Sequence, residues 1–190
     1  MSDTLAAVAT VAATCTACKL APTRTQVVFG VGDPEADLMF VGEGPGEQED
    51  LRGEPFVGRA GQLLTQLIEG IGLTRAEVYI ANVVKCRPPG NRDPQSDEID
   101  ACSPWLDKQL KLIRPRVIVT LGNFATKLLL ATNEGITSIR GQVFPYSRAG
   151  LDAVLIPTLH PSAVLRAGGA RIADARADFV TVKRALGAHG

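Results

Sequence analysis

The sequence predicts an α/β fold in which a parallel sheet carries helices on both faces, within one domain over residues 1–190. Three observations predict it. Short β-rich runs alternate with longer amphipathic stretches, Gly, Pro or charged residues bound each run, and each run ends in a polar or Gly/Pro-rich loop. A chain of 190 residues with 45% hydrophobic and 5% aromatic content can bury one good core.

Strands are expected at 37–41, 78–84, 116–121 and 153–158. Helices are expected at 61–71, 99–113, 124–130 and 171–186. The first places Leu64, Leu67, Ile68 and Ile71 on one face, and the second does the same with Leu106, Leu110 and Ile113. In such folds the ligand crevice lies at the carboxyl ends of the strands. The loops there are Gly42-Glu43-Gly44-Pro45-Gly46, 85–94, Gly122-Asn123 and His160-Pro161-Ser162. There is no internal repeat and no long linker.

The 20 basic and 20 acidic residues cancel, so a polyanionic partner must be met by a local patch. The opening Met-Ser-Asp-Thr and the Ala/Val run up to Thr14 lack the basic start and cleavage site of a secretory signal, which points to the cytoplasm. No apolar run approaches the roughly 20 residues that span a bilayer, so no membrane association is expected.

In a reducing compartment, four cysteines are metal ligands or core thiols before they are disulfides. Cys15 and Cys18 form a C-x-x-C knuckle, Cys86 follows the second strand, and Cys102 sits on the helix after the Pro-rich loop. Lys85, Arg87 and Asp100 beside the last two argue against simple apolar burial, so four-thiolate metal binding is the expectation. Tetrahedral sulfur suits zinc or an iron-sulfur cluster, and one knuckle plus two isolated cysteines leans toward the cluster. Either group would staple the N-terminal segment, about residues 1–26, to the loop after the second strand.

In the Gly-Glu-Gly-Pro-Gly loop, glycines let a ligand approach the backbone while Glu43 projects into the crevice; a plain turn with a solvated Glu is the alternative. It is not a phosphate loop, since no Gly-Lys-Ser/Thr ends it.

Four stretches together carry a specific resemblance: Gly42-Glu43-Gly44-Pro45-Gly46-Glu47-Gln48-Glu49-Asp50, Gly53-Glu54-Pro55-Phe56-Val57-Gly58-Arg59-Ala60-Gly61-Gln62-Leu63-Leu64, Asn82-Val83-Val84-Lys85-Cys86-Arg87-Pro88-Pro89, and His160-Pro161-Ser162-Ala163-Val164-Leu165-Arg166. The match runs from Cys15 through Arg166, includes all four cysteines, and resembles the family 4 uracil-DNA glycosylases. The resemblance implies a four-stranded parallel sheet sandwiched by helices, and a structural 4Fe-4S cluster on Cys15, Cys18, Cys86 and Cys102. It also implies hydrolytic excision of uracil from single- or double-stranded DNA, by a monomer. A branch of this kind traps the sugar covalently with a histidine after the second strand; residues 87–94 contain none.

The residue chemistry is compatible. A glycosylase must flip its base into a pocket and read the Watson–Crick edge. The Asn82 carbonyl can accept from uracil N3–H while its amide donates to O4, and cytosine presents the opposite pattern. That reading requires neighbouring hydrogen bonds to fix the amide; an Asn capping the turn is the alternative. Phe56 is a stacking platform on the family pattern, or else a core plug. His160 suits the negative charge that develops on uracil O2, and the Gly44 N–H offers a second donor. Glu43 answers the positive sugar, orients water, or does both. Glu49 flanks the uracil C5 edge or is a solvated helix-start charge. Leu165 is placed to wedge into the base stack and Arg166 to reach a phosphate, with Lys85, Arg87, Arg92 and Arg59 as a basic rim. Two readings without glycosylase chemistry are an iron-sulfur electron carrier and a zinc-stapled nucleic-acid-binding module.

Overall fold

The computed structural model describes residues 4–188. His189, expected in a frayed tail, lies outside them. The central sheet has six strands in the order β1-β3-β2-β4-β6-β5. Its middle is the expected parallel set: β2 (Leu38–Gly42), β3 (Tyr79–Asn82), β4 (Val117–Leu121) and β6 (Leu151–Thr158). Antiparallel edges flank it, the two-residue β1 (Val31–Gly32) and β5 (Phe144–Arg148). The sequence reading missed both. β1 is too short for periodicity, and β5, which contains Pro145, pairs through a tight turn in which Ala149 and Gly150 both have positive φ.

Side chains alternate between two helical layers. Phe40, Ile80, Val119 and Ile156 pack with α3 (Arg59–Gly70), α7 (Pro161–Ala167) and α8 (Gly169–Gly187). Met39, Val41, Ala81 and Ile118 pack with α4 (Ser96–Ile113) and α5 (Asn123–Leu130). Strands buried on both faces explain why these runs are continuously apolar. The N-terminal α1 (Leu5–Ala12) lies against α4, with Val8, Ala12 and Phe29 packed beside Trp105. The short α2 (Glu47–Arg52) and α6 (Ile136–Ile139) border the crevice loops. Among the described residues, no helix is long and apolar enough to cross a membrane.

Candidate active site

The carboxyl ends of β2 and β3 lie side by side, with Gly42 opposite Asn82 in the register. Asn82 is 2% exposed, and its Oδ1 is a buried polar atom with no hydrogen-bond partner among the described residues. An unpaired buried carbonyl is costly, about 1–3 kcal/mol, so it marks a place where a ligand donor belongs. No hydrogen bond fixes Oδ1, contrary to the expectation from sequence. The oxygen instead lies against Gly42, where any Cβ would run into it and would approach the Phe56 ring to 2.8 Å. Gly42 is therefore required for the close approach of strand, amide and ring.

Phe56 is buried and adopts a left-handed backbone, φ 53°, a strained conformation for an aromatic residue. Three contacts hold it there. Glu49 Oε1 accepts from the Val57 and Gly58 N–H groups at 3.0 and 3.4 Å, and Arg75 donates to the Pro55 carbonyl at 2.9 Å. Gly61 supplies the bare surface on which the Phe56 carbonyl rests. Glu49 is thus a loop clasp that also lines the pocket, rather than a solvated charge. Arg75 had no signal in the sequence.

His160 is the N-cap of α7. Its Nδ1 accepts from the Ser162 backbone N–H at 3.2 Å and lies 2.7 Å from the Ser162 hydroxyl. Burial pushes its pKa down to about 4, the Arg166 charge adds to this, and Glu49 opposes it. The imidazole is neutral at pH 7, and a backbone donor on Nδ1 leaves the proton on Nε2. The His160 ring stands 5.7 Å from that of Phe56, tilted by 35°.

Glu43 follows β2, and its carbonyl accepts from Val84 N–H at 3.1 Å. Burial, then the charge of Asp93 and a hydrogen bond with it, raise the Glu43 pKa to about 7. Asp93 is a site residue that sequence reasoning missed, because a charge between Arg92 and Pro94 reads as a solvated loop. Gly44 lies against Val84, where a Cβ would meet Cγ2 at 2.7 Å.

These residues line two adjoining cavities. One, of about 420 Å³, is walled by Gly44, Glu49, Phe56, Asn82 and His160. The other, of about 860 Å³, shares Glu43, His160, Ser162 and Arg166 with it and adds Asp93. Both fall in the size range of small-ligand sites. On α7, Val164 is buried while Leu165 is 38% exposed and Arg166 is exposed beside the opening.

The basic rim needs correction. Lys85 is 1% exposed, and its Nζ donates to the Asn82 main-chain carbonyl at 2.7 Å and to Gln109 Oε1 at 2.5 Å. It is an interior residue and not part of an exposed rim. Burial pulls its pKa down to about 8, and its ammonium also stands 5.8 Å from the Phe29 ring. Arg92 forms a two-pronged bridge to buried Glu98 at 2.9 and 2.6 Å, which fastens the Pro-rich loop to α4. Arg87 donates to Asn91, and Arg59 is exposed.

All four cysteines are free thiols lining one small cavity with Arg24, Lys85 and Trp105. Cys86 and Cys102 are buried despite their charged neighbours, and Lys85 beside Cys86 is itself buried. Arg24 donates to Cys86 Sγ at 3.6 Å and the Lys85 N–H to Cys102 Sγ at 3.2 Å. Burial pushes the Cys86 thiol up to about 11. Among the described residues, no three His, Cys, Asp or Glu side chains form a group that could hold a metal ion.

A three-layer α/β/α protein with a small-ligand pocket at the carboxyl ends of parallel strands is the class that fold and site define. The profile of the Uracil DNA glycosylase superfamily matches residues 29–186. The chain is 51% identical over 156 residues to a type-4 uracil-DNA glycosylase of Sulfurisphaera tokodaii, covering 80% of this chain and 71% of the relative. A Thermotoga maritima type-4 uracil-DNA glycosylase is 50% identical over 153 residues, covering 80% and 78%. A type-5 uracil-DNA glycosylase of Thermus thermophilus is 36% identical over 125 residues, covering 58% and 57%. The chain belongs to the type-4 uracil-DNA glycosylases of that superfamily.

Proposed function

We propose that this chain excises uracil from DNA by hydrolysing the N-glycosidic bond, using Asn82 to read the base and His160 to stabilise its departure. The observation that carries this reading is the orphaned Asn82 Oδ1 in a pocket whose other wall is a neutral histidine. Uracil N3–H donates to Oδ1, the Asn82 amide donates to O4, and the ring stacks on Phe56. As the bond breaks, charge grows on O2, where the His160 Nε2–H and the Gly44 N–H donate most strongly. The Glu43 carboxylate faces the sugar, opposing its positive charge and orienting the attacking water. Leu165 fills the stack left by the flipped base, while Arg166 and Arg87 hold phosphates.

Cys15, Cys18, Cys86 and Cys102 fit a 4Fe-4S cluster. They share one cavity, and two N–H donors point at their sulfurs. When bound, the cluster staples the segment carrying Cys15 and Cys18 to α4 and the loop after β3, within a single domain. The protein acts as a cytoplasmic monomer on uracil-containing DNA. An electron carrier has no use for the Asn82 and His160 pocket.

Incubation with a uracil-containing oligonucleotide should yield an alkali-labile abasic site without strand scission. An adduct trapped by borohydride, or no uracil release, overturns the reading. Replacing any one cysteine by Ala should bleach the visible absorbance and reduce soluble, folded protein; a cluster-free variant that is folded and equally active removes the stapling role.

The pH profile offers a further prediction. Glu43 works ionised, so the single-turnover rate should fall as pH drops through about 7, while His160, lowered to about 4, titrates only well below that limb. Asp93→Asn removes a like charge that raises Glu43, and should move the limb to lower pH. Arg92, Glu49 and Arg166, which also face this pocket, stay in place. An unmoved limb in that variant would separate Asp93 from Glu43.

A further inference from the structure

The uracil pocket takes one base, yet the cavity beside it has about twice the volume, about 860 against 420 Å³. The two are joined along Glu43, His160, Ser162 and Arg166. On the reading above, the scissile bond lies between Glu43 and His160, so the deoxyribose sits at this shared wall. The phosphodiester leaving that sugar therefore faces the larger cavity, and the next nucleotide is tethered within reach of it. Away from the shared wall the lining is mainly apolar, with Ile99, Phe124, Leu128 and Ile136, while Lys127 stands on the Phe124 side and Asp93 beside Glu43. Phe124 and Leu128 are only half-buried. Apolar walls with an aromatic ring do not suit a phosphate or an ordered water cluster; they suit the flat face of a nucleobase, with a cation near its phosphate.

We propose that this larger cavity is a second nucleotide subsite, which receives the neighbour of the flipped uridine on the same strand and stacks its base on Phe124. The proposal rests on the glycosylase reading and extends it from one nucleotide to two. Stacking is tolerant of base identity, so the subsite adds affinity for single-stranded DNA with little demand on sequence. Lys127 adds a phosphate contact that weakens with salt. One cavity accommodates one neighbour, so the effect belongs to one side of the uridine.

The test uses the full chain and single-stranded oligonucleotides bearing 2′-fluoro-2′-deoxyuridine, whose fluorine disfavours the sugar cation and so prevents turnover during binding. Either the 5′ or the 3′ neighbour is reduced to a tetrahydrofuran abasic residue. Removing the base on one side should raise Kd by about five- to a hundredfold in the wild type, and removal on the other side should have no comparable effect. In Phe124→Leu, which keeps apolar volume without a π face, the one-sided loss should shrink to about twofold or less, while Phe124→Trp should retain it. Equal losses in wild type and Phe124→Leu overturn the stacking assignment. Loss on neither side in the wild type overturns the subsite without any variant having to fold. Uracil release from the unmodified oligonucleotide by the wild type is read in parallel; its failure sinks the glycosylase reading itself, a different result from loss of flanking-base dependence.

Discussion

Asn82→Asp should lower single-turnover uracil excision by about a thousandfold or more at neutral pH, because a site built around a hydrogen-bonding edge fails when that edge is changed. The substitution preserves volume and one acceptor oxygen but replaces the amide donor to uracil O4. The side chain is buried beside Gly42 and Phe56, so it cannot swing away to water. An ionised Asp repels O4, and burial raises its pKa, which increases the protonated fraction as pH falls. The protonated form can donate to O4 or to cytosine N3, so any gain of cytosine excision belongs to the low-pH end. Rates on U- and C-containing oligonucleotides across pH measure both effects. Unchanged uracil excision would return Asn82 to a turn-capping role.

His160→Ala should cost about 10²–10³-fold in the single-turnover rate, the usual effect of losing one donor to a developing oxyanion. The helix cap lost with it is worth about 1 kcal/mol, too little by itself to unfold a domain of this size. The two roles separate in the pH profile. Since His160 is already neutral well above its lowered pKa of about 4, its removal should depress the rate at every pH and leave the limb near 7 in place. A limb that disappears with His160 would reassign that titration from Glu43 to the histidine.

The parallel core was legible because its strands are short apolar runs, each ending in a loop whose composition has no structural purpose in a plain turn. That Cys15, Cys18, Cys86 and Cys102 come together was legible from their placement, and they do line one cavity. What failed was side-chain direction. Lys85 sits beside a cysteine in a stretch of cations and reads as a phosphate contact, but Gln109, 24 residues away, turns it inward. Gln109 in turn donates to the Phe29 carbonyl and contacts the Tyr79 hydroxyl, so the lysine is one member of a buried network across α4, β3 and the stretch before β1. Local sequence carries no trace of such a network. Asp93 was missed for the converse reason: its importance comes from the carboxylate it faces, which lies 50 positions earlier in the chain. The Phe56 strain was invisible as well, since its clasp is assembled from Glu49, Arg75 and Gly61.

The edge strands bear on how this chain survives its own synthesis. Leu38–Gly42 and Val117–Leu121 are wholly buried runs that pair over a long sequence separation, the kind of parallel pairing that is intrinsically slow and exposes strand edges to aggregation. In the finished sheet neither is an edge. At one margin β1 offers two residues, too few to template a foreign strand. At the other, β5 carries Pro145, which has no N–H to give, an exposed Ser147, and a half-buried Arg148 paired with Asp107 at 2.6 Å. Lengthening β1 or replacing Pro145 with a β-branched residue would leave the pocket untouched and create a surface on which copies can polymerise.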